Sequence, residues 1–322
     1  MGTPAFSLPA LQAVSACWGD AVGVYTSPDR RRGRGLSKGF SDIKAYSLER
    51  GWPVFQPMSL RGEPAVGQFQ DLAPDLVVVA AYGLLIPPEM LSVPKHGFIN
   101  IHPSLLPRYR GPSPVPSAIL DGVDETGVSL MLLDQGLDTG PVLAQEATKI
   151  EPGERADALT LRLFQMGARL LADCAPQWID RSIVPQPQDS TLSTYTSKLT
   201  REDGRVDWRE SAELLARRFR AYTPWPGLFT YWQGKRLRLL DVEEWSCSAS
   251  VGTSRFEGEG LRSSNGTGVV RVMPGVPSSL VIEAGMGTCL RVNRLQLEGR
   301  LPQGADEFLR GYPQIVGERL PS

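Results

Sequence analysis

Histidine is nearly missing from these 322 residues, with His96 and His102 the whole supply. Two imidazoles are too few to build a histidine-rich metal centre. Cysteine is almost as scarce: Cys17, Cys174, Cys247 and Cys289 stand far apart, with no Cys-x-x-Cys pair. That spacing argues against zinc-ribbon and dithiol chemistry and leaves reduced, buried thiols as the expectation. No metal is expected. No apolar run approaches the ~18 residues of a membrane span, and no basic-then-apolar leader opens the chain. Phe6 stands where an acylation signal beginning Met1-Gly2 needs Ser or Thr, so no lipid anchor is expected. These absences lead to the expectation of a bacterial cytoplasmic or organelle-matrix protein; a monomer is expected as well. A surplus of charge is missing too. The formal net charge is -1, so any polyanion must be met by a local basic patch rather than a global field.

The apolar fraction of 41% and charged fraction of 21% are those of a globular protein. At about 100 to 200 residues per domain, the length suits two. Most of the interpretable chemistry lies between Gly97 and Gln145. Phe98 to His102 alternates apolar and polar groups, and residues two apart on a strand share a face, so Asn100 and His102 are expected to point the same way. Ser104-Leu105-Leu106-Pro107 follows, a short segment flanked by prolines that restrict its backbone. A second apolar run, Gly127 to Leu133, ends in Asp134-Gln135-Gly136-Leu137-Asp138-Thr139-Gly140, a turn able to bring a carboxylate back towards the histidine.

The run Asn100-Ile101-His102-Pro103-Ser104-Leu105-Leu106-Pro107, followed by Gly136-Leu137-Asp138-Thr139-Gly140, resembles the signature of the formyltransferases that use 10-formyltetrahydrofolate. Nearly the whole chain is similar to the branch of that family acting on methionyl-tRNA. Met1 to Val14 resembles its first strand-to-helix turn, Thr26 to Gly35 its arginine-bearing loop, and Tyr195 to Trp208 with Ala221 to Gly227 the start of its C-terminal domain. The resemblance implies an α/β fold, a doubly wound and mostly parallel sheet, with a smaller C-terminal β-barrel. It also implies a catalytic domain at 1–183, a linker at 184–200 and a tRNA-binding domain at 201–322. The implied partners are 10-formyltetrahydrofolate as formyl donor and methionyl initiator tRNA as acceptor. The family's first strand is expected before Met1. Without it, neighbouring strands would keep unpaired backbone groups and the fold would be less stable than its relatives.

In chain order, the spacing predicts a helix over Phe6 to Ala16, a strand over Ala21 to Tyr25, and a flexible cationic loop over Ser27 to Phe40. That loop carries Arg30, Arg31, Arg32, Arg34 and Lys38 between glycines. An ordinary solvated loop and a phosphate-binding one are both open on the residues; the resemblance favours RNA and assigns contacts to Arg34, Arg32 and Lys38. Ser41 to Gly51 reads as a helix, Pro53 to Phe55 as a strand, and Leu76 to Ala81 as a strand buried on both faces. Ligands of open parallel sheets sit beyond strand C-termini, and the resemblance makes Tyr82, Gly83 and Leu84 the wall for the pterin. Tyr82 and Leu84 read equally as core. Ala156 to Cys174 has helical spacing, Pro185 to Thr194 the composition of a linker, and Ser211 to Ala221 a helix with Arg217, Arg218 and Arg220 close together. From Leu228 short branched runs between Gly, Ser and Asn clusters predict an all-β unit. Ser246 to Gly268 gets no role, and Asp306 to Leu309 resembles a closing helical segment.

Acyl transfer to an amine passes through a tetrahedral species that needs donors for its oxygen and a path for a proton. The Asn100 amide can donate, an interaction worth about 2.7 to 4 kcal/mol where comparable donors have been removed. His102 is the natural proton acceptor because imidazole as a class titrates at about 6.5, with Asp138 to orient and polarise it. An α-amino group titrates at about 8, so modest help suffices. Plainer readings stand beside these: a structural histidine, an aspartate serving only its turn, an asparagine capping backbone. The resemblance places Ser104, Leu105, Leu106 and Pro107 against the folate, and Arg110 near a terminal phosphate; His96 has no role. Two rival functions remain: a related formyltransferase or deformylase acting on a small molecule, and an inactive tRNA-binding relative.

Overall fold

A computed structural model describes residues 1–32, 37–245, 266–272 and 280–322, and of residues 30–32 and 37–38 the backbone alone. Arg34 and nearly all of Ser246 to Gly268 lie outside the described residues.

The chain divides into two compact units. The first consists of Met1–Ala118, Val123–Pro152 and Ala158–Lys198. It begins with a 3-10 turn at Ala5–Ser7 and α1 (Leu8–Trp18), so the expected helix starts and ends about two residues later than the periodicity places it. Strand β1 (Val24–Tyr25) follows, then β2 (Arg30–Arg32) and β3 (Ser37–Gly39), which pair antiparallel with Arg31 opposite Lys38. The arginine-rich segment expected as a flexible loop therefore has a short ladder at its base. Helix α2 (Asp42–Glu49) is capped by Ser41, whose hydroxyl accepts from the Lys44 N–H. Strand β4 (Val54–Phe55) pairs parallel with β1. After α3 (Glu63–Asp71), β5 (Val77–Val79), α4 (Pro88–Leu91) and β6 (Phe98–His102) come α5 (Pro114–Asp121), β7 (Glu125–Leu132), β8 (Val142–Lys149) and α6 (Ala156–Ile179). The sheet order is β5-β6-β7-β8. β5 and β6 run parallel, whereas β7 and β8 are antiparallel to their neighbours. No residue of β8 is buried and half are exposed, and its sequence lacks the apolar alternation that betrays a strand. α6 runs on through Pro176 to Ile179.

Between the β1 and β5 edges lies Met1-Gly2. The Met1 amino group donates to the Val78 carbonyl at 2.7 Å, the Gly2 N–H to Tyr25, and the Ala80 N–H to Met1, making a parallel bridge between Gly2 and Ala80. Burial pushes that amino group down to about 5, because a desolvated ammonium is unfavourable. Next to it opens a cavity of about 480 Å3 lined largely by apolar groups, among them Leu11, Val14, Val24, Phe69, Leu72 and Val77.

The core of this unit is apolar and aromatic: Tyr25, Leu60, Phe69, Val79, Met90 and Phe98 pack together, with Phe69 stacked on Phe98. On one face of β6, α6 approaches closely at Gly167, where a Cβ would stand 2.4 Å from the Ile101 side chain. Only a residue without a side chain lets that helix seat. The opposite face is left to Asn100 and His102.

The second unit comprises Ile119–Gly122, Gly153–Asp157 and Leu199–Ser322. Here α7 (Ala212–Tyr222) is capped by Ser211. Strands β9 (Leu228–Trp232), β10 (Lys235–Trp245), β11 (Val270–Val272), β12 (Leu280–Glu283), β13 (Cys289–Leu297) and β14 (Gln303–Gly304) precede α8 (Ala305–Gly311). They form one antiparallel sheet in the order β11-β12-β13-β10-β9, with β14 on β13. Among the described residues, the short branched runs after Leu228 form these strands. Trp208, Leu215, Leu290 and Phe308 fill its core. Arg218 is tied to Glu210 and to the Asp203 and Arg205 carbonyls, and Arg217 to Glu213. Two cysteines depart from expectation: Cys17 is exposed and Cys289 is disulfide-bonded, while Cys174 is a free, buried thiol. Among the described residues no helix is long and apolar enough to cross a membrane.

Candidate active site

Alternation on β6 does what its spacing predicts. His102 is 4% exposed, Ile99 and Ile101 are buried on the other face, and Asn100 is half-buried. Among the described residues the Asn100 amide has no hydrogen-bond partner, which leaves its N–H groups available to a ligand. His102 Nε2 lies 2.9 Å from the Tyr109 carbonyl oxygen. A backbone carbonyl only accepts, so Nε2 carries the proton and Nδ1 is the nitrogen able to take one.

Facing Nδ1 at 3.7 Å is Oδ2 of Asp138. The turn after β7 brings it there. Asp134 organises that turn by accepting from the Gly136 N–H at 2.9 Å and the Thr139 hydroxyl at 2.7 Å. Asp138 itself takes the left-handed conformation, φ +54°, which is uncommon for a residue with a side chain. Its Oδ2 accepts the Gly111 N–H at 2.7 Å. At 3.7 Å the carboxylate and ring make an electrostatic pair rather than a hydrogen bond.

The Ser104 to Pro107 loop is built inward. Ser104 is fully buried and its hydroxyl donates to the Arg108 carbonyl; Ser129 Oγ donates to the Ser104 carbonyl and accepts the Leu106 N–H; Gln145 donates to the Leu106 carbonyl. Ser104 and Leu106 therefore belong to the fold, and Leu105 and Pro107 are the half-exposed members. The wall expected after β5 changes in the same way. Tyr82 is 4% exposed and sits in the aromatic core, so its side chain is packing and not a ligand surface. Burial pushes its phenol above the usual tyrosine range. Gly83 is exposed and Leu84 half-buried beside that core.

Arg110, expected at a phosphate, is instead 1% exposed. Its Nε and Nη2 donate to Gln188 Oε1 at 3.1 and 2.8 Å, and its Nη1 to the Tyr195 hydroxyl at 3.1 Å. The guanidinium holds the Tyr195 phenol below its usual range. Gln188 Nε2 in turn donates to the Asp138 carbonyl at 2.9 Å and the Gly140 carbonyl at 2.7 Å.

Residues 185–194, whose composition reads as a linker, are thus part of the first unit and, with Thr196 after them, bonded to the rest of it. Gln186 pairs with Val142 in both directions at 2.8 Å, Thr194 accepts from the Tyr109 and Arg110 N–H groups, and Thr196 donates its N–H to the Arg110 carbonyl. Gly111, at φ +105°, fits against this strap because a Cβ there would stand 2.8 Å from the Thr196 carbonyl oxygen. Sequence reasoning missed Gln188, Tyr109 and Tyr195. The alternation Pro185-Gln186-Pro187-Gln188 was the available signal, since extended backbone puts alternate residues on one side. Arg32 and Lys38 lie in β2 and β3, outside the residues whose side chains are described, and Arg34 lies outside the described residues altogether. Among the described residues, no group of three or more His, Cys, Asp or Glu is placed to hold a metal ion.

The sequence matches the formyl transferase family model over residues 7–174 and the formyl transferase C-terminal domain over 198–313. It is 39% identical to a methionyl-tRNA formyltransferase of Roseiflexus castenholzii, over 99% of this chain and 97% of that protein. The fold is similar to the N-formyltransferase of Helicobacter canadensis solved with folinic acid and dTDP-3-aminofucose: TM-score 0.61, 16% identity, 90% of this chain and 96% of that one. It also resembles HypX of Aquifex aeolicus in complex with tetrahydrofolic acid, at TM-score 0.58 and 18% identity, covering 92% of this chain and 48% of that one.

Proposed function

Given that this chain belongs to the formyl transferase family, we propose that it moves the formyl group of 10-formyltetrahydrofolate onto the α-amino group of methionyl initiator tRNA. The observation that carries this reading is the meeting of His102 Nδ1 and the Asp138 carboxylate, 3.7 Å apart, on the sheet face that also bears Asn100. End-to-end likeness to a methionyl-tRNA formyltransferase supports the choice of acceptor.

The roles follow from the chemistry of each group. The donor supplies a one-carbon acyl group whose oxygen gains negative charge as the amine adds. Asn100 donates its amide N–H to that oxygen. His102 Nδ1 accepts the amine's proton, its other nitrogen being fixed on the Tyr109 carbonyl. Asp138 stabilises the imidazolium that results and keeps the ring in register. In the net reaction one carbon–nitrogen bond forms as another breaks, and one amine proton ends on the donor's nitrogen. No covalent enzyme intermediate is needed.

A folate fits the residues present: half-exposed Leu105, Pro107 and Leu84 and exposed Gly83 offer apolar and backbone surface, the mixture that small-molecule sites use. We assign donor binding to these, catalysis to the first unit, and tRNA contact to the second unit with Arg34, Arg32 and Lys38. Incubation with labelled 10-formyltetrahydrofolate and methionyl initiator tRNA tests the assignment. Label should appear on the aminoacyl-tRNA. Tight tRNA binding without transfer would favour an inactive tRNA-binding relative, and transfer only to a small amine would favour the other branches of the family.

A further inference from the structure

We propose that Gln188 is a positioning residue for Asp138, held in its working orientation by the buried Arg110. The inference rests on the catalytic reading of Asp138 above and adds a part of the site that the family signature does not contain.

The direction of the Asp138 carboxylate depends on a backbone in the left-handed region, φ +54°, which costs energy and persists only where the surroundings enforce it. Gln188 supplies the enforcement. Its Nε2 spends both protons on the turn, one on the Asp138 carbonyl at 2.9 Å and one on the Gly140 carbonyl at 2.7 Å. The amide cannot be reversed. Its oxygen accepts two N–H groups of Arg110, and turning it over would set NH2 against a guanidinium and oxygen against two carbonyls. A cation on the amide oxygen also polarises the N–H groups, strengthening their bonds to the turn.

The same strap governs the histidine. Thr194 accepts from the Tyr109 N–H at 2.8 Å and from the Arg110 N–H at 2.9 Å. The Tyr109 carbonyl holds His102 Nε2, and the Gly111 N–H holds Asp138 Oδ2. Imidazole and carboxylate are therefore set against each other by one segment, residues 188–194, acting through the 109–111 loop.

Gln188→Ala and Gln188→Glu test this. Glu keeps an acceptor for Arg110 but puts an oxygen against the two turn carbonyls, so it separates loss of the Arg110 partner from loss of the staple. Both variants should lose about tenfold to a hundredfold in kcat, as an ångström-scale misplacement does, with KM for both substrates nearly unchanged. In an Asp138→Asn background, Gln188→Ala should add little, because the group it positions is already gone. Wild-type kcat in Gln188→Glu, or an undiminished loss in the Asp138→Asn background, would overturn the proposal. With only two histidines in the chain, the His102 ring can also be followed by NMR. Its ring-proton chemical shifts at fixed pH should move in both variants as the carboxylate moves away; unchanged shifts would overturn the proposal even if the wild-type protein proved inactive on methionyl-tRNA. Such inactivity would sink the functional reading and leave the positioning role standing on the ring shifts.

Discussion

At the scale of single residues the account turns on which atom of each side chain is free. The Tyr109 carbonyl takes Nε2 of His102, leaving Nδ1 to work, and Asp138 is at the right distance to compensate charge without tying up the lone pair. Asp138→Asn should therefore reduce kcat by about 10²-fold to 10⁴-fold while KM moves little. Asn keeps the shape and removes the charge, so steady-state kinetics of the folded variant give the answer directly, and wild-type kcat would remove Asp138 from the mechanism. Asn100→Ala should reduce kcat by about 10²-fold to 10³-fold, the effect of losing one donor to a developing oxyanion. A rise in KM alone would make Asn100 a binding residue instead. Much of this was legible in the sequence because a strand's alternation is local: Phe98 to His102 fixes by itself which side chains share a face. Arg110 was not legible. An arginine next to the signature reads as a solvated phosphate ligand, and its burial depends on Gln188 and Tyr195, some eighty positions along the chain.

Among elements, the strap and the Met1-Gly2 bridge show how composition and structure can diverge. Proline and small polar residues mark Pro185 to Thr194 as a linker, yet those residues offer free backbone and side-chain amides, and buried carbonyls of the Asp138 turn need donors. β8 escaped notice for a related reason: it pairs with β7 at seven positions but buries none of its residues, so its strand character lies in the backbone ladder. The cavity between β1 and β5 leads to a prediction at this scale. Extending the chain before Met1 by about five alternating apolar, β-branched residues should raise Tm by about 2 °C or more, since each kcal/mol gained is worth roughly that in a domain of this size. Such an extension replaces a buried ammonium by a peptide group and fills apolar space. A Gly/Ser extension of equal length should not do so. Equal melting temperatures for the two, by calorimetry, would show that the slot does not take a strand.

For the whole molecule, stability should fall on the alkaline side. Burial pushes the Cys174 thiol up from 9 to about 11 and the Tyr25 phenol from 10 to about 12, and raises the Tyr82 phenol as well. For each, the unfolded chain gives up its proton first. Their contribution is intact below about pH 9 and is lost as pH climbs through the folded values, at up to about 1.4 kcal/mol per pH unit for each group. Urea unfolding at pH 8, 9 and 10 should show the midpoint dropping above pH 9, and Cys174→Ala should remove the earliest part of that drop relative to its own pH 8 value. A flat profile would contradict the burial of these groups. Nucleic-acid binding is also a property of the whole chain, because the net charge of -1 provides no general attraction. Arg34→Ala should lower the slope of log affinity against log salt for methionyl-tRNA by about one, and an unchanged slope would take that arginine out of the interface.

The rate of formyl transfer from 10-formyltetrahydrofolate to methionyl initiator tRNA by His102→Ala, set against the wild-type protein at saturating substrates, is the most direct test. The expected result is a kcat at least about 100-fold lower in a variant that still folds and binds tRNA with a Kd within about threefold of wild type. A folded His102→Ala protein that transfers the formyl group at the wild-type rate would contradict it.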